Sequence, residues 1–336
     1  MSRFADIIGQ EIAIKILLKA VKNNQVGQSW LFVGPEGVGK LTTALAFAAA
    51  LNCSNQTESG DACGECASCR MILSLGHPDV QVISPDGAQT KIEQMRIMRR
   101  DTSYMPVVGQ WKVVIIEQAD TLNYEAAISI LKTIEEPPDY LAVILLSRNP
   151  ALILPTIRSR CRIVRFAGVP IEELAPELIK RFGISEPRAQ FLASYSEGRP
   201  GTAISLIGND SFFQWRDDIT VFALKLSSAG LAHVPKLSEE LLSLSENENG
   251  KKNQRLAVKE TLDALILWYR DLLSLTVQGK DAQIINCDLR NTLNQVRISS
   301  EKAAGAIESL IWARRAVESN ANVQLISDVV TARLVS

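Results

Sequence analysis

The sequence has no surplus of either charge: 36 lysines and arginines stand against 37 aspartates and glutamates. That balance excludes a long-range field able to hold nucleic acid or an anionic membrane unaided, so any DNA contact is expected to be local or shared with partners. No apolar run approaches the roughly 20 residues of a membrane span. The opening segment MSRFADIIGQ lacks a signal peptide's apolar core. A cytoplasmic protein without a membrane partner is expected. Cysteine is sparse, six in 336 residues, and in a cytosolic chain of this size that favours metal or free thiols over a disulfide scaffold. No internal repeat is found. What the chain does have is length: it exceeds the roughly 100–200 residues of one core, so two or three domains are expected.

From residue 1 to about 165, short apolar runs alternate with helical patterns: SWLFVG, LTTALAFAAALN, DVQVIS, WKVVIIEQAD, EAAISILKTI and LAVILLS. This alternation predicts an α/β unit, a parallel sheet with helices on both faces. The runs VVII and AVILL are too uniformly apolar for half-exposed strands and predict central, buried ones. After RIVRFAGVP the strand signals stop. A small helical piece is expected over 171–207, and only helical periods from 209 onward. There TLDALILWYRDLLSL is apolar on most faces, which predicts a helix packed among helices. The polar tract SENENGKKNQ at 245–254 reads as an exposed loop. Trp111, Trp268 and Trp312 lie in apolar surroundings and read as core.

At 34–43 the chain reads GPEGVGKLTT. A strand runs into this glycine loop and a helix runs out, the context a phosphate-binding loop requires. Gly34, Pro35, Glu36, Gly37, Val38, Gly39 and Lys40 form the loop. Its glycines let N–H groups face a phosphate, and Lys40 adds a point charge at the positive helix end. The bland alternative is a glycine turn that merely starts a helix. A hydroxyl directly after the lysine would ligate Mg²⁺; here Leu41 stands there, and Thr42 is one residue late, about 100° further round. The loop therefore suits ATP or ADP, while Mg²⁺ lacks its usual ligand. In hydrolases of this layout another buried strand ends in carboxylates that hold the metal and activate water. Here KVVII ends in Glu117-Gln118; glutamine cannot act as the base. Asp120, two residues on, is expected to turn away.

Cys53 is followed by CGECASC, with Cys63, Cys66 and Cys69 at two-residue gaps. Four thiolates so spaced can wrap a tetrahedral Zn²⁺, a closed structural site with no open position. Two disulfides or an unpaired redox thiol are the alternatives. Cys161 and Cys287 read as lone thiols, and His77 as a loop residue. Arg96, Arg99 and Arg100 recur at helical spacing, either as a solvated face or as a DNA-backbone contact.

FADIIGQ, GPEGVGK, LNC leading into CGECASC, ILKTIEEPP and LPTIRSRC together resemble the clamp-loader subunits of bacterial DNA polymerase III, members of the AAA+ group. The likeness covers most of residues 4–161. The family has a hydrolysing motor branch (gamma/tau) and a delta-prime branch that mostly does not hydrolyse. Leu41, Glu117 and Gln118 favour the second. So does EGRPGTA, where Gly201 stands at the motor's nucleotide-sensing arginine and Arg199 two residues earlier. WYRDLL and NANVQL are similar to delta-prime collar helices.

The resemblance implies an AAA+ P-loop domain over 1–166 with an inserted four-cysteine zinc module at 53–69, a helical lid over 167–208 and a helical collar over 209–336. It implies a pentameric ring with motor and delta subunits, meeting the sliding clamp and primer-template DNA through the complex. It also implies that Arg160, of the Ser-Arg-Cys motif, enters the neighbouring subunit's ATP site, and that Ser147 or Asn149 senses a γ-phosphate. Two other readings stay open. One is an active motor-type ATPase using Thr42 and Glu117; the other is a zinc-stabilised nucleotide-binding adaptor.

Overall fold

The computed structural model describes residues 3–87, 89–245 and 254–335. The chain divides into two compact units, 1–181 with 196–204, and 182–195 with 205–336. Residues 167–208, expected as one helical piece, are helical (Ile171–Phe182, Glu186–Tyr195, Pro200–Leu206) and contribute to both units.

The first unit is built on five parallel strands: β1 Ser29–Val33, β2 Val80–Ile83, β3 Lys112–Ile116, β4 Leu141–Ser147 and β5 Cys161–Arg165, ordered β2-β3-β4-β1-β5. The expected central strands are central, and every residue of β4 is buried. Strand alternation sends side chains to two cores. Trp30, Phe32, Val113, Ile115 and Ile144 meet helices Glu11–Lys22 and Lys40–Asn52 on one face. Leu31, Val114, Ile116, Val143 and Leu145 meet Met95, Met98, Ala126 and Ile130 on the other. Helix Lys40–Asn52 approaches the sheet closely because its inward positions are mostly alanine, leaving room for Phe47 to meet Trp30 edge-on at 5.4 Å.

The loop before β3 is anchored by Asp79. Its buried carboxylate accepts the backbone N–H groups of Val107, Val108 and Gly109 at 2.7–2.8 Å. Burial pushes this carboxyl up, but the three donors outweigh it and hold it below its usual range. His77 is a loop residue as expected, though buried, with Nδ1 accepting the Asp79 N–H.

The regular elements of the second unit are all helices among its described residues. Helix Gln254–Gln278 carries the predicted apolar segment and packs against helix Ser300–Glu318 and its neighbours. Its Asp271, wholly buried, accepts N–H bonds from Ile285, Asn286 and the Asn286 amide. Arg216 then clamps Asp288 with two 2.7 Å bonds while its guanidinium lies 3.6 Å over the Phe191 ring. Trp268 is core and Trp111 is partly buried against the sheet. Trp312 is not core: it is 41% exposed on the flank of its helix, with Arg333 over its ring. Local apolarity misled there because the inward positions are Leu310 and Ala313. Of the tract at 245–254, residues 246–253 lie outside the described residues. No described helix is long and apolar enough to cross a membrane.

Candidate nucleotide and metal sites

The phosphate loop continues β1, and Gly34 donates to the Ser147 carbonyl at the end of β4. Gly37 sits at φ +79°, and a Cβ there would lie 2.2 Å from the Thr202 hydroxyl. From the other side, Gly201 donates to the Gly37 carbonyl at 2.7 Å, and a Cβ on Gly201 would lie 2.9 Å from that oxygen. Position 201 is therefore pressed against the loop and carries no side chain into the site.

The loop opens on a cleft of about 210 Å³ lined by Glu36, Gly37, Gly39, Lys40, Leu41, Thr42, Glu117, Gln118, Ser147, Arg148 and Gly201. Most sequence-predicted positions thus converge. Val38 instead enters the core, while the Gly34 and Pro35 carbonyls each accept a 2.6 Å bond from the Lys40 ammonium. Burial lowers the Lys40 pKa, with Glu36 and Asp120 pulling the other way. Leu41 lines the cleft and also packs on the core. Glu117 accepts the Ser84 hydroxyl at 2.5 Å. Asn149 caps Ala151 and does not line the cleft.

Asp120 corrects the sequence expectation. Gln118 adopts φ +45°, and the 3-10 turn Ala119–Thr121 that follows swings Asp120 back toward the site. Its carboxylate accepts the Arg148 backbone N–H at 3.2 Å, and its charge reaches Lys40. The sequence reading weighed Ser147 and Asn149 but passed over Arg148 between them. The available signal was an arginine at the end of a buried strand on the loop's side of the sheet. Gln10, donating to the Val38 and Ala167 carbonyls, was also missed as a brace of the loop.

Arg160 lies at the other end of the sheet. Cys161 pairs with Ser29 and Arg165 with Val33, so at least about 13 Å of strand separates it from the loop, at about 3.3 Å per residue. Its guanidinium is 37% exposed, donating to Glu135 at 3.0 Å and to the Thr156 carbonyl at 3.1 Å. Arg96, Arg99 and Arg100 lie on the exposed face of helix Ile92–Thr102, the first and last in exposed ion pairs.

Cys53, at the end of helix Lys40–Asn52, meets Cys63, Cys66 and Cys69, all four Sγ atoms within 4.8 Å of one another. The pairs Cys53–Cys66 and Cys63–Cys69 stand at 3.9 and 4.0 Å, close to the roughly 3.8 Å edge of a tetrahedron with 2.3 Å metal–sulfur bonds. Neither pair is a disulfide. Backbone N–H groups of Asn55 and Cys63 point at the Cys53 sulfur, and those of Glu65 and Cys66 at Cys63. The latter two hold the Cys63 thiol below its usual range, whereas burial pushes Cys53 and Cys69 up. The donor set fits a thiophilic cation. Buried Asp61, accepting from Phe4, Ala5 and Ala62, ties the module to the start of the chain.

A five-stranded parallel sheet in this order, with a glycine loop and lysine after its β1 strand, defines the nucleotide-binding core of AAA+ P-loop proteins. Residues 9–170 match the family described as DNA polymerase III, delta subunit. The chain is 29% identical over 319 residues to DNA polymerase III subunit delta' of Bacillus subtilis, covering 94% of this chain and 93% of that one. It is 34% identical to subunit delta' of Pseudomonas aeruginosa over 55% of this chain and 57% of that one. It is 37% identical to subunit tau/gamma of Haemophilus influenzae over 60% of this chain, but spans 30% of that longer relative. Over residues 9–170 the chain is therefore similar to this family of DNA polymerase III subunits, and along nearly its whole length it is similar to a delta' subunit.

Proposed function

We propose that the chain is a delta-prime-type subunit of a DNA polymerase III clamp loader. In this reading it hydrolyses no ATP itself and lends Arg160 to a neighbouring ATPase subunit for loading the sliding clamp on primer-template DNA. The observation that carries it is the contrast between the two ends of one sheet. At the loop end Leu41 has no oxygen for Mg²⁺ and Gln118 no charge to accept a proton. At the far end Arg160 is exposed, too distant to serve its own loop, and held by a surface ion pair with Glu135 and a bond to the Thr156 carbonyl. An arginine supplied across an interface stabilises charge on the transferring phosphoryl, an effect of roughly 10³–10⁵ in rate.

The loop itself serves as a passive nucleotide site. ADP or ATP would be held by the loop N–H groups, Lys40 and Ser147, whose buried hydroxyl has no hydrogen-bond partner among the described residues. The four cysteines would hold one Zn²⁺, which supplies a structural cross-link. Residues 1–166 act as the nucleotide module, 167–208 as the lid and 209–336 as the collar that joins motor and delta subunits in a pentameric ring. In this reading the chain works in the cytoplasm.

Steady-state ATPase of the purified chain, alone and mixed with a tau/gamma subunit, tests this reading. Turnover only in the mixture, stimulated over the motor alone, is expected. Turnover by the chain alone supports the motor reading instead, and no effect on the motor supports the adaptor.

A further inference from the structure

Arg148 lines the cleft beside Glu36, Lys40 and Leu41. Its guanidinium donates to Glu36 at 2.9 Å, and its Nε stands 3.9 Å from the Asp120 carboxylate, which also accepts its backbone N–H. The Asp120 side chain is only 7% exposed, so that charge is fixed in place. In hydrolysing sites of this layout a divalent cation links the phosphates at the loop to the acidic strand end. Leu41, in place of the hydroxyl that would ligate it, does not fit that metal. Arg148 spans the same two elements, the loop through Glu36 and the acidic turn through Asp120.

We propose that Arg148 is the built-in counter-cation of a metal-independent nucleotide site, joining Lys40 in binding the diphosphate of free ADP or ATP. The inference rests on the reading of the cleft as a nucleotide site. A guanidinium presents a planar fork that matches two phosphate oxygens, which a lone ammonium does not. The Glu36 partner is 70% exposed and Arg148 48%, a pairing held weakly enough for an entering phosphate to displace the carboxylate. Asp120 stays behind the guanidinium and keeps it aimed, as an acidic residue would a metal. Ser147, on the same wall, adds the unpartnered buried hydroxyl.

The test is calorimetric titration of ADP into the full chain, once with excess EDTA and once with millimolar Mg²⁺. Affinity in EDTA should equal or exceed that in Mg²⁺. Arg148→Gln should weaken binding about tenfold or more in both conditions, the scale of a charge-assisted hydrogen bond. Glu36→Gln, which removes the competing carboxylate, should tighten it. The two changes are at exposed side chains and pull in opposite directions, so a shared folding defect cannot mimic the pattern. Binding lost in EDTA, or an Arg148→Gln chain that binds like the parent, overturns the proposal and leaves the nucleotide site standing. No ADP binding in either buffer, with no thermal shift, overturns both.

Discussion

Replacing Arg160 by alanine separates a structural role from a donated one, because the contacts of this side chain set a ceiling on what it contributes at home. Its ion pair with Glu135 joins a 37% exposed guanidinium to a 51% exposed carboxylate, and its other strong bond is to the Thr156 carbonyl. Exposed pairs contribute about 0.2–1 kcal/mol. Arg160→Ala should therefore lower stability by no more than about 1 kcal/mol, a fall of about 2–4 °C in melting temperature for a unit of this size. Assembly with partner subunits should survive. The functional loss should be far larger at one site: the neighbour's hydrolysis, measured as DNA-stimulated ATPase of the assembled complex, should lose that site's share, and clamp loading should fall with it. Arg160→Lys should not rescue, since the ammonium lacks the fork. Glu135→Gln should leave the rate intact or raise it by freeing the guanidinium. Arg158, which makes only a 3.5 Å contact to the Pro150 carbonyl, is the control and should matter little. A complex carrying Arg160→Ala that hydrolyses ATP and loads clamps like the parent would refute the reasoning, as would a large drop in melting temperature.

Metal analysis of chain purified without affinity-tag metals should find about one Zn²⁺, and Cys66→Ser should lower both metal content and melting temperature while leaving the effect on the motor intact. Asp79→Ala should cost about 2–4 kcal/mol by stranding three N–H donors, read by urea unfolding. Because the Asp79 carboxyl is held below its usual range, its stabilisation is complete above the unfolded value near 4 and is lost as pH falls through the folded one. Asp79→Asn should flatten that acid limb, and an unchanged limb would remove the assignment. Gly201→Ala puts a methyl 2.9 Å from the Gly37 carbonyl oxygen, so it should cost about 1–3 kcal/mol and weaken ADP binding; a neutral result would show that the loop moves freely.

The sheet was legible because VVII and AVILL are buried on both faces and leave no alternation to misread. The proposed loss of hydrolysis was read from residue chemistry alone, since Leu41 offers no side-chain oxygen and Gln118 no charge whatever their geometry. Direction was not. Asp120 was expected to point away, and the left-handed backbone at Gln118 precedes the turn that brings it to the Arg148 backbone behind the cleft wall. Arg148 went unweighed because an arginine after a strand is ordinary until its partners, Glu36 and Asp120, arrive from 112 and 28 residues away. Trp312 shows the same limit, since local apolarity cannot say which flank of a helix faces outward.

The strand register that parts Arg160 from the phosphate loop gives the first unit a front and a back. Under the proposed function, a chain that offers at one end and receives at the other would join its neighbours head to tail, through a heterologous contact rather than a self-matching one. In such a row each member's chemistry depends on the one beside it. A member whose receiving end cannot fire still completes the neighbour it touches but relays nothing onward. Such a member would act as a terminus: the row would gain a fixed first position, and firing order would acquire a direction that identical, fully active members arranged in a closed circle would lack.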